Sequence, residues 1–130
     1  MTLTEEQLDQ EETPTPEQPP ANLYNSVYAF VHDWLVSVYC HEVNDMQSSW
    51  RWCSLWHHHP EAVARLEAAW KAFEVLRQDP GTGASVWFRD HGDPCMAVLT
   101  AADGPFRACS NTSHRRQPNL PYEHLTNWEM

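Results

Sequence analysis

The sequence predicts a mainly α fold: one small domain of about three helices with long irregular connections, preceded by a disordered acidic N-terminal tail. Three observations carry this. Apolar residues recur at three- and four-residue steps in two stretches, 24–38 and 62–73, which is the period of a helix with one buried face. Turn formers separate these stretches, and Pro60 and Pro94 stand where a helix would begin. The chain has 130 residues, enough for one domain with a tail.

The tail is expected over residues 1–20, "MTLTEEQLDQEETPTPEQPP". It holds six acidic residues and no basic one, together with Pro14, Pro16, Pro19 and Pro20. The prolines deny it a continuing helix and it has little apolar surface to bury. The folded domain is therefore placed at residues 21–130. Its first helix follows from "NLYNSVYAFVHDWLVSVYCHEV". Tyr24, Tyr28, Val31, Leu35 and Val38 form a stripe that Phe30 and Trp34 widen, and Asn25 or Ser26 can cap the start. The span is long for one strand.

A polar connection, "HEVNDMQSSWRWC", comes next. Trp50, Trp52 and Trp56 in so short a stretch are expected to pin the loop to the core, with a stacking platform as the functional alternative. The second helix opens at Pro60, whose missing N–H costs nothing in the first turn, and Glu61 faces the positive end of the helix dipole. Val63, Leu66, Trp70 and Phe73 mark its inner face, while Arg65, Lys71 and Glu74 fill the outer one. "DPGTG" at 79–83 ends it. A third helical segment starts at Ala84 or Ser85. Gly92 is expected to interrupt it, with Asp93 as N-cap and Pro94 at the first position of a further short helix. Phe106 returns to the core after the Asp103-Gly104 turn, and the remainder is irregular.

Charge narrows the function classes. The formal net charge is -10, which opposes attraction to phosphate backbones or anionic lipid and favours a protein partner. No run reaches the ~18 apolar residues of a membrane span, and the N-terminus lacks the apolar segment of a secretory signal. A reducing cytoplasm is then the expected compartment, where Cys40, Cys53, Cys95 and Cys109 are thiols or ligands rather than disulfides.

One set of residues suggests a metal site. Cys53 and His59 stand six positions apart, Cys109 and His114 five. Both pairs lie where irregular backbone meets a helix end or turn, so they can converge on one zinc ion, which takes four such ligands. A small domain also gains from a staple. The spacing is not that of a standard finger, which has a tight cysteine pair. His57, His58, His91 and Cys95 are substitutes. The ordinary reading weighs more from sequence alone: the cysteines fill core, His59 caps the helix, and His57–His59 is a solvated loop. A catalytic Cys109–His114 pair lacks any evident orienting group.

The segments "RWCSLWHHHPEAVARLEAAWKAFEVLR", "SVWFRDHGDPCMAVL" and "GPFRAC", followed by His114, resemble an uncharacterised family of actinobacteria and their phages, known as domain of unknown function 4913. The motifs Trp52-Cys53, His59-Pro60-Glu61-Ala62, Asp90-His91, Asp93-Pro94 and Gly104-Pro105-Phe106 carry the likeness over roughly residues 24–114. Cys95, His57 and His58 depart from the pattern, which argues against them as ligands. The resemblance implies a small cytoplasmic protein of a phage, plasmid or integrated element and implies no activity.

The favoured expectation is a small accessory or binding protein that acts through a protein partner, with Cys53, His59, Cys109 and His114 as the candidate ligands should it carry a structural zinc. A metal-dependent hydrolase or nuclease using His59, Glu61, His91 and Asp93, with Glu61 or Asp90 as base, is the alternative. It lacks a His-Glu-x-x-His motif or phosphate loop. DNA binding through Arg107, Arg115 and Arg116 is a third, and the acidity of the chain opposes it.

Overall fold

Three helices and one short 3-10 turn make up the regular structure of the computed structural model, which describes residues 21–126. The leader expected over 1–20 lies outside the described residues. Among those residues there is no strand, and no helix is long and apolar enough to cross a membrane.

Helix α1 spans residues 27–38 as three consecutive runs: Val27–Phe30, a π-helical Val31–Leu35, and Val36–Val38. Ser26 starts it. Its backbone is extended, and its Oγ accepts the Ala29 N–H at 3.2 Å, satisfying one of the amides that a helix start leaves free. The buried stripe is Val27, Phe30, Val31 and Leu35. It differs from the expected one, since Tyr28 and Val38 stay 47% and 41% exposed. The helix begins three residues after Tyr24, and its π run adds a residue to the turn, so the simple period drifts out of phase. Tyr24 instead sits in the lead-in, its ring 5.9 Å from Phe30 and 6.1 Å from Phe73.

Helix α2, Pro60–Leu76, is the longest element and has Pro60 in its first turn as expected. Ala62, Leu66 and Ala69 are fully buried, with Val63, Trp70 and Phe73 half-buried beside them. Glu74 corrects the sequence reading, which placed it outward: it is 5% exposed. Its carboxylate accepts the N–H groups of Leu23 at 2.8 Å and Tyr24 at 3.0 Å, the Trp70 indole N–H at 3.0 Å and the Arg77 Nε–H at 2.9 Å. A buried carboxylate is tolerable only when its oxygens are so occupied. Arg77 Nη2 also donates to the Ala21 carbonyl at 2.7 Å, so the C-terminal end of α2 fastens the start of the domain.

Helix α3 spans residues 83–99 as Gly83–Trp87, a π-helical Phe88–Gly92, and Asp93–Leu99. The break expected at Gly92 does not occur. Gly92 and Asp93 both have right-handed helical angles, and Asp93 caps nothing. Pro94 lacks an N–H and its ring crowds the carbonyl four residues back. The π turn immediately before it supplies the wider backbone that lets the helix continue. Gly92 is required for another reason: a side chain there would strike the Trp87 ring and the Tyr39 hydroxyl.

The core lies where these helices meet. Phe30, Trp34, Phe73, Trp87 and Phe88 interlock, with ring centroids 4.8 Å apart for Trp34–Phe73 and 5.0 Å for Phe30–Phe73. Trp87 is 1% exposed, and its indole N–H donates to the Ala69 carbonyl at 2.8 Å. The tryptophan-rich connection between α1 and α2 closes the other side, tied to the end of α3 by Arg51 N–H to Thr100 C=O at 2.9 Å.

Candidate metal centre

Two reversals of the chain bring four donor side chains to the N-terminal end of α2. In the first, His58 N–H bonds to Leu55 C=O and His59 N–H to Trp56 C=O, both at 2.9 Å. This tight turn carries Cys53 and His59 to the same place, and leaves His59 as the residue that precedes Pro60. In the second, the Phe106 carbonyl accepts the Cys109 N–H at 3.0 Å, and Ser110 closes a turn with Ser113 through N–H to C=O at 2.9 Å. That turn folds His114 back over Cys109. Phe106, fully buried, lies between the two segments, with its ring centroid 5.2 Å from Trp52 and 4.9 Å from His59.

The donor atoms of Cys53, His59, Cys109 and His114 all lie within 4.8 Å of one another. Cys53 Sγ is 3.3 Å from His114 Nδ1, Cys109 Sγ is 3.4 Å from His59 Nε2, and Cys109 Sγ is 4.0 Å from His114 Nδ1. A tetrahedral zinc with ordinary Zn–S and Zn–N bonds separates sulfur from nitrogen by about 3.6 Å along each edge. The three spacings bracket that length, so the donor set suits a zinc ion with little movement. Cys53, His59 and Cys109 are 1%, 2% and 3% exposed, and His114 is partly covered.

The electrostatics point the same way. Burial pushes the Cys53 thiol up to about 11; the Leu55 N–H opposes this and Cys109 adds to it. Burial also lowers His59, helped by the positive potential of His114, His58 and Arg116. A neutral imidazole is the form that ligates, whereas the thiol must lose its proton. A dication supplies the charge for that step. Without it, one buried imidazole nitrogen and one partly covered one face thiols, which are weak hydrogen-bond partners. The Arg115 N–H, 3.4 Å from Cys109 Sγ, is placed to donate to a thiolate there, as the Leu55 N–H is at Cys53.

The structure therefore draws together the four residues singled out in the sequence. His59 does not cap α2 through its side chain, as the alternative reading had it. Of the substitutes, His58 lies edge-on to the His114 ring at 5.5 Å between centroids but is exposed with His57 on the 3-10 turn, and His91 and Cys95 belong to α3. The enzyme constellation is dispersed. Glu61 pairs with Arg65 at 2.9 Å, Asp93 accepts the Tyr39 hydroxyl at 2.8 Å, and Asp90 pairs with Arg89 at 2.8 Å. Glu74 and Asn44 are residues that sequence reasoning missed. Asn44 joins the two site-bearing loops, its Nδ2 donating to Trp52 C=O at 2.6 Å and to Asn111 Oδ1 at 3.0 Å.

Residues 24–126 match the model of a family described as "Domain of unknown function (DUF4913)". No curated protein and no solved structure matches the chain. The chain belongs to the DUF4913 family.

Proposed function

We propose that this member of the DUF4913 family is a small binding protein whose fold is stapled by one zinc ion on Cys53, His59, Cys109 and His114. The observation that carries the reading is the convergence of two thiols and two imidazoles, three of them buried, at spacings that suit one tetrahedral ion. Four protein ligands leave no position for a reacting water, so the ion stabilises the fold and does no chemistry. The dispersal of Glu61, Asp90 and Asp93 into other pairs supports this over a metal-dependent hydrolase.

The role follows from what remains. A net charge of -10 disfavours nucleic acid as the main partner and leaves a protein partner as the better fit. Four free cysteines suit a reducing cytoplasm. An accessory role in a phage, plasmid or integrated element is what the sequence resemblance implies.

Elemental analysis of the full chain, purified without added metal or chelator, tests the site. One equivalent of zinc, with a melting temperature that falls when a strong chelator is added, is the expected result. A folded protein that contains no metal and ignores chelator overturns the reading.

A further inference from the structure

The connection between α1 and α2 walls off a pocket of about 350 Å³ that is separate from the donor cluster. Leu35 and Val36 come from α1, Met96 from α3, and Val43, Trp50 and Trp52 from the connection itself. The volume lies in the range of small-molecule sites, about 300–1,000 Å³. No Lys, Arg, Asp or Glu lines it. Two polar groups at its wall are engaged: the Tyr39 hydroxyl donates to Asp93 at 2.8 Å, and the Cys40 thiol donates to the Ser37 carbonyl at 3.0 Å. The His41 ring lies flat on Trp50, 3.7 Å between centroids and 12° between planes. A charged ligand would meet no Lys, Arg, Asp or Glu there; a flat, uncharged one would meet aromatic surface.

Two features bear on this pocket. Trp56 and Trp87 are 1% exposed and complete the core, whereas Trp50 and Trp52, like Trp34 and Trp70, are only half-buried and keep surface free for contact. The second concerns Asn44, which has φ 63°, the sole positive value at a non-glycine among the described residues. Its N–H donates to Trp50 C=O at 2.9 Å, its Nδ2 to Trp52 C=O at 2.6 Å, and its Oδ1 accepts the Trp52 N–H at 3.1 Å. Asparagine is among the few non-glycine residues that adopt this left-handed conformation readily, as a turn requires. Its hydrogen bonds fix the backbone of the two tryptophans at the pocket wall.

We propose that this pocket binds a small, uncharged, planar aromatic molecule against Trp50 and Trp52. Stacking on indole supplies the attraction, and the preformed loop lowers the ordering cost of binding. No donor of the metal cluster lines the pocket, and its limited volume suits a small molecule rather than an extended chain.

Equilibrium dialysis of the full chain, as purified, against 2-naphthol tests it. Saturable uptake of one molecule per chain is expected. Val36 is 43% exposed, so Val36→Trp fills the pocket from the surface side of α1 with little demand on the core. It should weaken uptake by roughly ten-fold or more, a loss readily resolved by dialysis, with the melting temperature and far-UV circular dichroism unchanged. Trp50→Ala should weaken it as well. Absence of saturable uptake in the folded parent overturns the proposal, and so does equal uptake by parent and Val36→Trp.

Discussion

The two ends of α2 are held by opposite means. At its C-terminal end the Glu74 carboxylate gathers four N–H donors from Leu23, Tyr24, Trp70 and Arg77. At its N-terminal end His59 faces Cys109, and Cys53 faces His114. Both ends bury groups that are costly to bury alone. The difference lies in who compensates. The first end contains charge and counter-donors together, and is complete. The second offers two thiols and two imidazoles to one another, all of them better matched to a cation than to themselves. One end of the helix is a finished polar network, and the other is a set of donors that could hold a metal ion.

The largest expected effect comes from breaking the second end. Structural zinc contributes apparent binding energies of about 10–16 kcal/mol in small domains, which is also folding energy. Chelation or Cys53→Ser should therefore remove metal and cooperative melting together. A Cys53→Ser protein that keeps the parent's melting curve would place Cys53 in the core as ordinary filling. At the first end, Glu74→Ala should destabilise by about 2–4 kcal/mol, since it leaves buried N–H groups and Arg77 without their acceptor. Chemical denaturation of the metal-loaded protein measures it. A change below about 0.5 kcal/mol, the scale of an ordinary surface substitution, would show that Glu74 behaves as its sequence position suggested.

Acid distinguishes the ends further. Burial alone would raise the Glu74 carboxyl, but the N–H groups of Leu23 and Tyr24, with Arg77 and Trp70, outweigh it and hold the group below the usual carboxylate range. Its folded pKa is thus depressed. The stability it contributes is fully present above the unfolded value and is lost as pH falls through the folded one. Glu74→Gln should accordingly lose stability at neutral pH and show a shallower acid limb than the parent between about pH 5 and pH 3. The comparison must be made at saturating zinc, because protonation of the cysteines and histidines weakens metal binding in the parent too. Parallel acid limbs in the two proteins would exclude Glu74 as a source of the pH dependence.

The contrast also explains what could be read from the chain in advance. Ligand type and short spacing mark Cys53/His59 and Cys109/His114 because the chemistry of a ligand is written in the residue itself. Their convergence depends on Phe106 and the Ser110–Ser113 turn, which no local pattern announces. Glu74 was unreadable for the opposite reason. A glutamate in an amphipathic helix is usually solvated, and two of its four donors are backbone groups about fifty residues away in sequence. The helices were legible through Ser26, Pro60 and the apolar steps. The two π runs were not: a widened turn leaves no compositional mark, so the stripe of α1 drifted and Gly92-Asp93-Pro94 looked like a helix break. The pocket beside Trp50 was equally hidden, because Leu35, Trp50 and Met96 come from three separate elements.

The smallest expected effect sharpens the donor set to a single imidazole. Three histidines run in sequence, and composition alone cannot rank them. The 3-10 turn does: His57 and His58 are exposed on it, and His59, at its end, is 2% exposed with Nε2 at 3.4 Å from Cys109 Sγ. His57 touches Tyr28 and Trp56 only edge-on, at centroid distances of 6.4 Å and 5.7 Å. His57→Ala should therefore change stability by no more than about 0.5 kcal/mol, as surface substitutions do, and leave the metal content at one equivalent. His59→Ala removes a ligand and should lose both metal and fold. Parallel elemental analysis and chelator melts of the two variants make the comparison. If His57→Ala loses the metal while His59→Ala keeps it, the centre is real but the turn presents a different histidine to it. Loss in both variants would mean that the run of three acts as one mobile donor, and that the tight turn between Leu55 and His59 does not select the ligand.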